Sequence, residues 1–173
     1  MNGPGDVWNQ AAEKWSATIA QVGDDDWAKS TPCGEWTVQE LVDHAMHWQG
    51  MGGSVFGAGT APGQDWAEVQ PALSAALADP ANLEGTVEQF GNMPKQAMAG
   101  LLIADLLVHS CDLARAIGAD ESLPAEAVVA THMGLQRLPE ETLRGGTMFG
   151  PAVEVAEDAS DQDKLIAFVG RQP

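Results

Sequence analysis

Between Pro94 and Gly118 runs KQAMAGLLIADLLVHSCDLARAI, the segment that most restricts how this chain can fold. Pro94 suits the start of a helix, and Gly118 suits the residue just past its end. A helix over the intervening 23 residues is roughly 35 Å long at 1.5 Å per residue. Its middle, rich in Leu, Val and Ala, reads as buried. Yet DLLVHSCDLARA also carries Asp105, His109 and Asp112. A charge in such a setting is costly unless it is paired or bound to a metal.

The remaining pattern is mostly helical. Residues 6–22 place Val7, Trp8, Ala11, Trp15, Ile19 and Val22 at helical spacing. TPCGEWTVQE interrupts, and Thr37 followed by Glu40 forms a capping box that starts a second helix at Val38, running to about Trp48. Residues 52–64 read as a loop from their Gly and Pro content. A short helix is expected in DWAEVQPALSAALAD, with Pro71 either in its first turn or breaking it. Residues 82–93 read as irregular, with a weak strand around Thr86, Val87 and Phe90. Another helix follows Pro124 and stops by Pro139. Residues 152–155 read as a short strand or extended arm, and a short helix begins near Ser160. The expectation is an all-α four-helix bundle, one domain over residues 1–173, with an irregular crossover between the second and third principal helices.

Charge narrows the partners. With 25 acidic and 8 basic residues the formal net charge is −17, which disfavours nucleic acid and anionic membrane surfaces. No uninterrupted run of about 18 apolar residues suggests a membrane span. The N-terminal MNGPGDVWNQ lacks the basic and apolar regions of a secretory leader. Cys33 and Cys111 lie far apart and read as free thiols of a cytoplasmic protein, a single disulfide being the alternative.

On a helix, residues four apart share a face, so Asp105 and His109 point the same way and Asp112 lies near them. A carboxylate and an imidazole one turn apart can hold one divalent ion, with a third ligand from a facing helix. The second helix offers a candidate in His44, within ELVDHAMHW, and His47 lies on a neighbouring part of the same surface. Spacing alone leaves a second explanation open, a bundle core containing a satisfied Asp–His hydrogen bond.

TPCGEWTVQELVDHAMHW and LLIADLLVHSCDLARAIGAD resemble the two signature segments of the DinB-like superfamily. More narrowly, they resemble the actinobacterial branch that contains mycothiol-dependent maleylpyruvate isomerase. The ending, FGPAVEVAEDASDQDKLIAFVGRQP, is similar to the tail of an actinobacterial subfamily described only as metal-binding. The likeness runs from about residue 8 to the end. It implies a DinB-like bundle holding one divalent metal on His44, Asp105 and His109, with zinc expected and nickel an alternative. The isomerases have Glu where this chain has Asp105, which is one methylene shorter and so expected to bind less closely or through water. Their C-terminal domain is expected to be absent here, so maleylpyruvate is not carried over as substrate.

The resemblance further implies a low-molecular-weight thiol such as mycothiol as cosubstrate. Its thiolate would attack a small electrophile, giving S-transfer or cis–trans isomerisation. Asp112 is expected to orient His109 or a water. Trp48, a turn beyond His44, is expected to line a pocket, with His47 a second candidate. Trp8, Trp15 and Trp36 read as core or staple residues. Cys33 reads as a motif residue of the turn before the second helix, Cys111 as structural, His132 as a non-ligand, and Arg115 as lying off the metal face. Other classes stay open: a non-catalytic metal- or ligand-binding bundle, or a biosynthetic enzyme using the pocket without a thiol. A homodimer is a reasonable prior.

Overall fold

The computed structural model describes residues 3–146 and 148–173. Met1 and Asn2, at the start of the stretch read for a leader, and Thr147, in the tail, lie outside the described residues. The helices are α1 (Pro4–Ile19), α2 (Val38–Val55), α3 (Trp66–Ala78), α4 (Lys95–Ile117), α5 (Ala125–Leu135), α6 (Glu140–Arg144) and α7 (Asp161–Phe168). Between α3 and α4, β1 (Thr86–Val87) and β2 (Met93–Pro94) form an antiparallel ribbon, with Thr86 opposite Pro94 and Val87 opposite Met93. This is the all-α bundle that the resemblance implied. α1, α2, α4 and α5 are the principal helices, and α3 lies in the crossover, packed on α1 and α2.

α4 has the expected bounds because both ends are locally encoded. Pro94 caps its start, and Gly118 takes the left-handed conformation, φ 72°, that ends it. Its apolar character all round follows from its place between two sets of helices. Met98, Leu102, Leu106 and Leu113 enter a core shared with Trp8, Trp15, Leu41 and Leu73. Leu101, Ala104 and Val108 enter another with Val128, Leu135, Leu143 and Leu165. By length and composition alone α4 is apolar enough to cross a membrane, contrary to the count of uninterrupted apolar residues, but most of that span is buried inside the fold.

α2 runs seven residues past Trp48, through glycines that read as a loop. Those glycines serve close packing. A Cβ on Gly50 would strike the Ala61 carbonyl, one on Gly52 the Leu102 side chain, and one on Gly53 the Thr60 hydroxyl. The helix tolerates their low propensity because neighbouring backbone and side chains come close only where Cβ is missing. Pro71 sits in the interior of α3 without ending it. Residues 152–155 form no strand, and the Val153 N–H donates to the Ala167 carbonyl at 2.9 Å.

Candidate metal centre

Thr37 caps α2. Its hydroxyl accepts from the Glu40 N–H at 3.3 Å, and the Glu40 carboxylate accepts from the Thr37 N–H at 2.8 Å. This box fixes where α2 begins, and so where His44 faces α4. Asp105 and His109, one turn apart on α4, meet it there. His44 Nε2 lies 3.3 Å from Asp105 Oδ1, and His109 Nε2 lies 3.4 Å from the same oxygen. The two imidazoles stand edge to face, with centroids 5.1 Å apart. Asp105, though a methylene shorter than Glu, brings one oxygen to both histidines.

The spacing can be tested against a metal. Ligand atoms about 2.1 Å from a tetrahedral ion lie about 3.4 Å from one another. Neutral N–H···O hydrogen bonds centre near 2.9–3.0 Å. The 3.3 and 3.4 Å separations are close to two edges of such a coordination tetrahedron and also within reach of long hydrogen bonds. Nitrogen, nitrogen and oxygen donors also suit zinc or nickel. The residues present fit a divalent ion.

Two of the three donors, Asp105 and His109, are held from behind. Gln49, fully buried, donates from Nε2 to Asp105 Oδ2 at 3.3 Å and to the Leu102 carbonyl at 3.0 Å, while its Oε1 accepts from the Trp8 indole at 3.0 Å. His109 Nδ1 donates to Asp112 Oδ2 at 3.1 Å, which leaves Nε2 aimed at Asp105. Asp112 in turn accepts from Arg171, whose Nε lies 3.2 Å from both carboxylate oxygens. The Cys33 thiol donates to Asp112 Oδ2 at 2.9 Å. Burial opposes ionisation of Asp105 and Asp112. The positive neighbours prevail: His109 and His44 hold Asp105 down to about 2, and His109 and Arg171 hold Asp112 at about 2. Burial likewise opposes charging of His109, but Asp105 beside it raises its pKa well above the ordinary range.

Cys33, His109 and Asp112 form a second trio with donor atoms close enough to share an ion. There the Arg171 guanidinium already occupies the carboxylate, and its Nη2 lies 3.3 Å from Cys33 Sγ. A cation would have to displace an existing cation, so His44, Asp105 and His109 form the better site.

The trio sits at the wall of a cavity of about 530 Å³. His44 is the most open donor, with 28% of its side chain exposed against 8% for His109. Trp48 lines the cavity. Trp36, read as a staple, lines it too, with its ring 4.7 Å from His44. His47 does not; it sits with Asp43 and Trp66 in a separate groove. His132 packs by Phe168, 5.3 Å between centroids, away from the trio. Burial, reinforced by Glu121, pushes the Cys111 thiol up to about 12, and Arg115 pairs with Glu121 at 2.6 Å. Cys33 and Cys111 are both free thiols. Gln49 and Arg171 were not singled out in the sequence. Gln49 shares α2 with Gln39, Glu40, Asp43, His44 and His47, so no local pattern marks it, and nothing near Arg171 marks that residue.

The family model for the mycothiol maleylpyruvate isomerase N-terminal domain matches residues 8–156. Two uncharacterized proteins of Mycobacterium tuberculosis, from strains CDC 1551 / Oshkosh and ATCC 25618 / H37Rv, are each 29% identical over 171 residues. The match spans 94% of this chain and 94% of theirs. No solved structure matches.

Proposed function

This chain belongs to the mycothiol maleylpyruvate isomerase N-terminal domain family, and on that premise we propose that it is a metal-dependent enzyme acting with a low-molecular-weight thiol. The reaction is S-transfer to, or thiol-assisted isomerisation of, a small electrophile. Mycothiol is the thiol that the family points to, zinc the expected metal with nickel the alternative, and the cytoplasm the compartment that suits two free thiols. The observation that carries the reading is the spacing of His44 Nε2, Asp105 Oδ1 and His109 Nε2 at the wall of a cavity large enough for a small molecule.

A divalent ion on these three residues supplies a charge that keeps a neighbouring thiol deprotonated near neutral pH. The chain's own groups do the rest. Asp112 takes the His109 Nδ1 proton as a hydrogen bond and fixes the ring's tautomer. Gln49 pins the second oxygen of Asp105, so that the first faces the histidines. Trp36 and Trp48 flank His44 and limit the water that reaches it.

Cobalt substitution tests this reading. Mycothiol added to the cobalt protein should produce an intense thiolate-to-cobalt absorption band, and His109→Ala should abolish it. A spectrum that mycothiol leaves unchanged would contradict thiol activation and favour a binding bundle or an enzyme that works without a thiol.

A further inference from the structure

The cavity's walls differ sharply from its metal-facing side. Beyond Trp48, which flanks His44, it is lined by Phe90, Met93, Met98, Leu101 and Phe149. Two of the polar side chains that reach it, Arg171 and Asp105, are already committed, and Thr142 also lines it. The Arg171 guanidinium contacts Asp112, Cys33 Sγ and the Val169 carbonyl. The carboxylate of Asp105 is shared among His44, His109 and Gln49. A hydroxyl-rich ligand entering deeply would give up hydrogen bonds to water and find few in return, which is costly. A dicarboxylate fares no better, because the guanidinium is neutralised by Asp112. An aromatic or aliphatic group, by contrast, gains from every apolar surface it covers. The methionines add adaptability, since an unbranched thioether repacks around different shapes.

We infer that this cavity takes an apolar substituent, so that the electrophile handled here is a small aromatic or aliphatic molecule and not an oxoacid dianion. This deepens the thiol-dependent reading and rests on it for the reaction, but not for the binding. A polar thiol would place only its sulfur end among His44, Asp105 and His109, and the apolar partner would fill the space between Phe90, Leu101 and Phe149.

Two measurements separate the binding inference from the thiol reading. In the first, cobalt-substituted protein is titrated with 2-mercaptoethanol and with 2-phenylethanethiol, and dissociation constants are taken from the thiolate absorption. The aryl thiol should bind at least about tenfold more tightly. Equal affinities would overturn the apolar inference and leave thiol binding intact. Absence of a band with either thiol would contradict the thiol reading. In the second, metal-free protein is titrated with ethylbenzene while tryptophan emission is followed, since Trp36 and Trp48 line the cavity. A saturable change, weakened several-fold in Phe90→Ala, is expected. Helical circular dichroism checks that the variant is folded. A parent emission that does not saturate would overturn the inference whatever the thiols do.

Discussion

Gln49 is fully buried, and its amide joins Trp8, Leu102 and Asp105. Gln49→Ala strands the Trp8 indole N–H and leaves a void, at an expected cost of about 2–4 kcal/mol in urea unfolding. It also frees one oxygen of Asp105, so metal affinity should fall by about tenfold or more. Asp112 holds two positive groups at once, and Asp112→Asn should cost about 3–5 kcal/mol by leaving Arg171 unpaired in a mostly buried setting. The pH dependence has a definite sign. Asp112 titrates at about 2 in the folded chain against an ordinary 3.8, so the unfolded chain takes up the proton first. Its contribution is complete above about pH 5 and drains away as pH falls towards about 2. Asp105 acts in the same direction when no metal is bound. Unfolding free energies of the metal-free protein should therefore drop steeply over that acid range, and less steeply in Asp112→Asn. Parallel slopes would contradict the pairing.

Helix by helix, the glycines of α2 and α4 give opposite predictions. Gly50→Ala drives a methyl into the Ala61 carbonyl and should lower stability by about 1–3 kcal/mol. A Cβ at Gly100, inside α4, meets nothing within 4 Å, so Gly100→Ala should raise stability by about 0.5–1 kcal/mol. Melting curves of the two variants check both signs. The same contrast explains what the sequence could carry. The bounds of α4 and the start of α2 were legible because caps are local: Thr37 with Glu40, Pro94, Gly118. The end of α2 was not, because glycine's local tendency to break a helix was overridden by close approach from Ala61, Thr60 and Leu102, which leaves no trace near Gly50. The meeting of Asp105 with His109 was legible for the reason that helical spacing is local, and His44 was offered by the capped second helix before the signature segments also pointed to it. Gln49 and Arg171 reach the site from a turn beyond His44 and from the end of the chain, at separations that no local pattern encodes. Trp36 reads as a packing residue because His44, the ring it lies against, sits about two turns into the next helix.

Across the whole molecule, α4 is the shared wall between two cores, and the candidate centre ties it to α2. A metal on His44, Asp105 and His109 would cross-link those helices and stabilise the native chain through its own binding free energy. Removing it with a chelator should lower the melting temperature, and restoring zinc should recover it. The decisive property at this scale is the binding of one ion by these three residues. It is tested most directly by metal analysis of the protein purified without a His tag or added metal, beside His44→Ala prepared in the same way. About one equivalent of zinc or nickel is expected in the parent, and its loss in the variant. A parent that holds no metal, even after reconstitution, would contradict it, and the trio would then be a buried polar network.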